Sequence, residues 1–174
     1  MIERDDEGMT LVELIVVIAV SALFLGLLAG LFINGIQTQE QATARDRATG
    51  RANVVSSSIG TSVRNAVAVK VSGSGSRLDA KILTTAGGFE CRAWVLDGTA
   101  LRYSSGTTAR ANTPSGWTAL ATGVTATLSG GAAFALQGTQ AVSFGLTVTD
   151  NGQKAVLTDG VKAQAFKAGG VACF

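Results

Sequence analysis

Hydrophobic and polar positions divide the chain into three stretches of different period. From Leu14 to Ile33, twenty residues run with Ser21 as the single polar side chain. As a helix rising about 1.5 Å per residue, such a run is about 30 Å long, the thickness of a bilayer's hydrocarbon layer. Gln37-Thr38-Gln39-Glu40-Gln41-Ala42 is then solvated, after which Val55, Ile59, Val63 and Val67 recur every four residues with Ala48, Ala52 and Ala66 beside them. That spacing places one apolar stripe on a helix lying against a sheet. Gly50, Gly60 and the Ser56-Ser57-Ser58 run argue against a free-standing coiled coil. One long helix is therefore expected, apolar over residues 9–33 and amphipathic over 34–70.

Ser72-Gly73-Ser74-Gly75-Ser76 interrupts the pattern as a short connector, and the period then changes to two. Strands are expected at Lys81 to Thr84, Phe89 to Leu96, Thr99 to Tyr103, Val124 to Leu128, Ala141 to Thr149, Lys154 to Leu157 and Val161 to Phe166. Asp97-Gly98, Asn151-Gly152 and Asp159-Gly160 supply the turns between them. Val142, Phe144, Leu146 and Val148 alternate with polar neighbours, the mark of an antiparallel sheet with one apolar and one solvated face. The expected class is α+β: a long N-terminal helix packed on an antiparallel β-domain over residues 71–174.

Composition supports strands beyond the helix, because Gly, Ala, Thr, Ser and Val dominate and proline occurs once, as Pro114. The formal charge of +2 conceals an asymmetry. Residues 1–8 carry Arg4 against Glu3, Asp5, Asp6 and Glu7, whereas beyond Ile33 there are 13 Lys and Arg against 7 Asp and Glu. Those cations are scattered, which reads as a solvated surface; a nucleic-acid stripe needs clustering. Cys91 and Cys173 either pair or remain as buried thiols, and a location outside the cytoplasm favours the pair. A loop of roughly 80 residues closed in this way restricts the unfolded chain by about 4.5 kcal/mol in the entropy treatment.

Glu13 stands at the entrance of the apolar run, where a carboxylate in lipid is unfavourable. A secretory signal does not account for it: the leader is acidic, the run is too long and no small-x-small site follows. A plain anchor has the length but no use for the carboxylate. A third reading does use it. Cleavage between Gly8 and Met9 would expose a new amine one helical turn from Glu13. In a low dielectric, that amine, on the same or a neighbouring chain, neutralises Glu13 and sets the stagger between copies.

Gly8-Met9-Thr10-Leu11-Val12-Glu13-Leu14 with the apolar helix behind it resembles the class III signal of type IV prepilins and type II secretion pseudopilins. The resemblance implies cleavage after Gly8 by a prepilin peptidase, N-methylation of Met9 and retention of Glu13 as the assembly carboxylate. It also implies other pilin subunits, an inner-membrane platform protein and an assembly ATPase as partners, and no cofactor. The protein would wait in the cytoplasmic membrane as a single-pass chain with residues 71–174 outside, then enter a cell-surface filament. Three departures stand out: Met9 where Phe is usual, an acidic leader, and Gly26 and Gly30 in a helix that lacks a central proline. Further along, Gln140 to Val148 before Asp150-Asn151-Gly152 is similar to the C-terminal hairpin of PilW-like minor pilins and J-type pseudopilins.

Other chemistries fare poorly. Histidine is absent, which removes the usual general base and the Ser-His-Asp arrangement, and the cysteines lack metal-site spacing. Glu90 and Asp97 read as solvent-facing charges on hairpin strands, and Gly73-Ser74-Gly75 lacks a phosphate-loop lysine. Trp94, Tyr103 and Trp117 read as core or loop packing. An enzyme is not expected. The rival function is DNA capture by a competence-type pilin through Arg92, Arg102 and Arg110, which predicts salt-steep binding.

Overall fold

Val55, Ile59 and Val63 are fully buried, as their four-residue spacing predicts. In the computed structural model, which describes residues 10–165 and 172–174, they belong to helix α1, Leu11–Arg64. Two compact units divide the chain, Met1–Ala42 and Thr43–Phe174. Through the first unit's described part, α1 is exposed on every side. In the second, α1 turns Ala44, Ala48 and Ala52 inward before the larger Val55, Ile59 and Val63. The small residues let the backbone lie close where the core is thin, and the branched ones fill it where it deepens.

The helix stops at Arg64, short of the expected residue 70, and residues Ala66–Ser72 form strand β1. Val67, assigned to the helical stripe by its spacing, belongs to that strand. Ala66-Val67-Ala68-Val69-Lys70-Val71 satisfies period two as well as period four, and pairing with the next strand decides between them. β2 (Arg77–Leu83), β3 (Phe89–Asp97), β4 (Ala100–Gly106) and β5 (Thr118–Thr122) complete a five-stranded antiparallel sheet in sequence order. The connector expected to be a free linker is a 3-10 turn, Gly73–Gly75. Gly75 is buried, and its carbonyl accepts the N–H of Ala133 at 3.0 Å.

A second antiparallel sheet, not the single one expected, contains β6 (Val124–Ala126), β7 (Phe134–Gln137), β8 (Ala141–Asp150) and β9 (Gln153–Lys162). β8 is its centre: β6 and β7 pair along one side and β9 along the whole of the other. Asp159-Gly160 is not a turn. It lies within β9, where Asp159 pairs with Phe144 and Gly160 with Ser143. Ten consecutive cross-strand pairs hold those two residues extended, against a local preference worth much less. The strand expected to reach Phe166 ends at Lys162, and Phe166 itself lies outside the described residues.

Val142, Phe144, Leu146 and Val148 of β8 are all buried, and they meet Trp94, Leu78 and Leu101 of the first sheet in one core with α1. Each large side chain taken fully from water there contributes about 1.5–3 kcal/mol. The first sheet has no solvated face over its centre, since Cys91 and Ala93, opposite in pleat to Trp94, are buried too. Cys173 and the loop between β4 and β5 lie against that second face.

Candidate functional site

The start of α1 is set by a reciprocal pair. Thr10 precedes the first helical residue, and its Oγ1 accepts the N–H of Glu13 at 3.3 Å. Glu13 Oε2 accepts the Thr10 N–H at 3.1 Å and the Thr10 hydroxyl at 3.0 Å. This capping box satisfies donors that a helix otherwise leaves unpaired. Its signal, T-x-x-E before an apolar run, stands in the sequence at Thr10 to Glu13, although the carboxylate draws attention first as a buried-charge problem. Gly8 and Met9, the expected cleavage and methylation positions, lie outside the described residues.

Beyond the cap, every large apolar side chain from Leu11 to Ile36 is exposed, between 45% at Leu28 and 74% at Phe32. An eighteen-residue stretch here has a mean hydropathy of 2.8 and buries none of itself within the chain. Surface of that kind needs lipid or other apolar helices around it. Leu25, Leu28, Ala29, Phe32 and Ile33 form a shallow apolar groove along it. At Gly26 and Gly30 no heavy atom comes within 4 Å of where a β-carbon would stand, so that side of the helix is open to a neighbour.

Cys91 and Cys173 form a disulfide with their Cα atoms 5.3 Å apart. Cys91 sits on β3, so the bond ties the C-terminal segment to the middle of the first sheet across 82 residues of sequence. Both cysteines are buried.

The three arginines of the DNA-capture reading are not gathered into one surface. Arg92 lies on the pleat of β3 that faces α1: its Nη1 donates to Ser62 Oγ at 2.9 Å and its Nη2 to Glu90 Oε2 at 2.9 Å. That donation holds the Glu90 carboxyl below its ordinary range, with partial burial opposing, and Glu90 raises Arg92 in return. Arg102 pairs across the strands with Val95, one residue out of phase with Arg92, and therefore emerges on the opposite pleat. There it binds Asp97 Oδ2 at 3.0 Å. Arg110 is in the β4–β5 loop and donates to the carbonyls of Ser105 and Thr108.

Two residues to which the sequence reading assigned no partner organise the domain. Ser58 accepts the indole N–H of buried Trp94 at 3.1 Å, so the helical serines are polar sockets for β3. Arg77 grips Asp79 with two bonds of 2.7 and 2.8 Å and donates onward to the carbonyls of Arg110 and Ala111. Neither has a periodic signature, because each depends on which strands become neighbours.

The amino-terminal helix decides the relationship. Residues 4–29 match the prokaryotic N-terminal methylation motif. This motif is the class III signal of type IV pilin-like proteins, and the match covers residues 4–8 of the expected leader, the Thr10–Glu13 cap and most of the apolar run. The long helix packed on antiparallel sheets is the pilin-like architecture. Together the motif and its helix support a type IV pilin-like or pseudopilin subunit, a structural class of protein, processed by prepilin peptidase and assembled with other pilins. Comparison with curated proteins and with solved structures gave no match.

Proposed function

We infer that the chain is a structural subunit, of the minor kind, of a type IV pilus or related filament. In this reading, residues 1–8 are a leader cut away between Gly8 and Met9, and Met9 then carries a methylated amine. The Leu14–Ile33 segment holds the precursor in the cytoplasmic membrane with its β-domain outside. The platform protein and assembly ATPase then move it into the filament.

The observation that carries the reading is the methylation motif at the start of a helix whose large apolar side chains from Leu11 to Ile36 are all exposed. Among the described residues Glu13 bonds to Thr10, which brings no charge. A neighbour's Met9 amine would supply the missing cation in a setting where water does not screen it. The carboxylate would then fix the axial position of one subunit against the next.

Intact mass of the protein from its native cell tests this. A chain beginning at methylated Met9 is the expected result, and an untrimmed chain still carrying Met1 overturns the reading.

A further inference from the structure

The outer pleat of the five-stranded sheet carries a cavity of about 290 Å³ that the assembly reading leaves unused. Lys70 and Ser72 of β1 line it with Arg77 and Asp79 of β2, joined by Arg110 and Asn112 of the β4–β5 loop. Phe174 adds an apolar flank beside the Cys173 sulfur.

The charges in this cavity do not balance. Arg77 and Asp79 cancel, since both carboxylate oxygens accept from the one guanidinium. Arg110 directs its donors to uncharged acceptors, the carbonyls of Ser105 and Thr108 and the Thr108 hydroxyl. Lys70 forms no ion pair among the described residues; its ammonium lies 5.8 Å from the centre of the Phe174 ring. Lys70 and Arg110 therefore face a small concave space in which neither pairs with a side-chain carboxylate among the described residues. Asn112 accepts from Arg77 through Oδ1, which leaves its amide hydrogens to donate, and the Ser72 hydroxyl stands on the same wall.

We propose that this cavity binds a small anion, a carboxylate or phosphate carried on a body about the size of one sugar unit. Charge-assisted hydrogen bonds from Lys70, with Ser72 and Asn112 as neutral donors, would hold the acidic group. The volume lies at the low end for ligand pockets, which limits the body to a single small unit. The site lies on the pleat of the first sheet opposite the one that Arg92 turns to α1.

Trp117 provides the readout, because its ring stacks 5.3 Å from the Arg77 guanidinium carbon at the edge of the cavity. The full chain in detergent micelles is titrated at constant ionic strength with galacturonate, inorganic phosphate or neutral galactose, and its tryptophan fluorescence is followed. Saturation by one or both anions in roughly the millimolar range, with none by galactose, is expected. Lys70→Gln should weaken that response about tenfold. Lys70→Arg should largely retain it, and Lys154→Gln on β9 should leave it unchanged. Galacturonate alone would assign a carboxylate and phosphate alone a phosphoryl group. No saturable response, an equal response to galactose, or undiminished affinity in Lys70→Gln would each overturn the proposal.

Discussion

Trp94 Nε1 donates to Ser58 Oγ across 3.1 Å, joining the most voluminous fully buried side chain of the domain to the long helix. The bond lies beside the stripe of Val55, Ile59 and Val63, so packing and polar satisfaction fix the same face of α1. Removing only the acceptor leaves an indole N–H buried without a partner. Ser58→Ala should therefore cost about 1–3 kcal/mol in urea unfolding of the detergent-solubilised chain. In a Trp94→Phe background the same change should cost clearly less, and equal costs would deny the coupling.

Glu13 serves the helix cap through Thr10 and, in the proposed filament, the register between subunits. Glutamine separates the two roles, since it preserves the cap but carries no charge. Glu13→Gln and Glu13→Ala should both insert into membrane normally, and both should enter the filament poorly. Assembly at the wild-type level by Glu13→Gln would assign the residue to capping alone.

Gly98 and Gly123 both have positive φ, of 58° and 69°, but different surroundings. Around Gly98 there is open space, whereas a β-carbon at Gly123 would collide with the Thr149 carbonyl oxygen where the chain passes from one sheet to the other. Gly98→Ala should cost about 1 kcal/mol, the left-handed backbone alone. Gly123→Ala should cost about 3 kcal/mol or more, because backbone must move. Thermal midpoints of the two variants check the order.

The Cys91–Cys173 bond closes most of the β-domain into one loop. Cys173→Ser should lower stability by about 2–5 kcal/mol, and reduction of the wild type should bring it towards the variant. Denaturant midpoints with and without reductant give the comparison; identical midpoints would mean that the crosslink contributes little.

Glu90 titrates below its ordinary range because Arg92 donates to it. The unfolded chain then binds the proton more readily, so the stabilisation is complete above the unfolded value near 4.3 and fades as pH falls through the lower folded value. The pair is partly exposed, which keeps the effect below about 1 kcal/mol. Glu90→Gln should flatten the acid limb of a stability profile between roughly pH 5 and 3, and an unchanged limb would remove this pair from it.

What could be read along the chain was whatever depends on near neighbours. The apolar run, the four-residue stripe at Val55, Ile59 and Val63, the alternation of β8 and the Asp97-Gly98 and Asn151-Gly152 turns are all local patterns, and all appear in the structure. The glycine-to-glutamate signature at the N-terminus is local too, and residues 4–29 match the methylation motif without reference to any fold. β1, β5 and β7 were missed because their sequences are short or satisfy two periods, and Asp159-Gly160 was misread because a turn dipeptide can be overruled by a long partner strand. The division into two sheets and the opposite pleats of Arg92 and Arg102 required the strands to choose partners. The Arg77–Asp79 clamp is local, but its hold on the β4–β5 loop and the cavity beside it arise only when residues more than thirty positions apart meet. The sequence by itself thus determined a membrane-length helix with its processing signal and a β-rich domain behind it. Tertiary structure alone decided which charges face one another, because pairing register, unlike hydrophobic period, is a property of two segments at once.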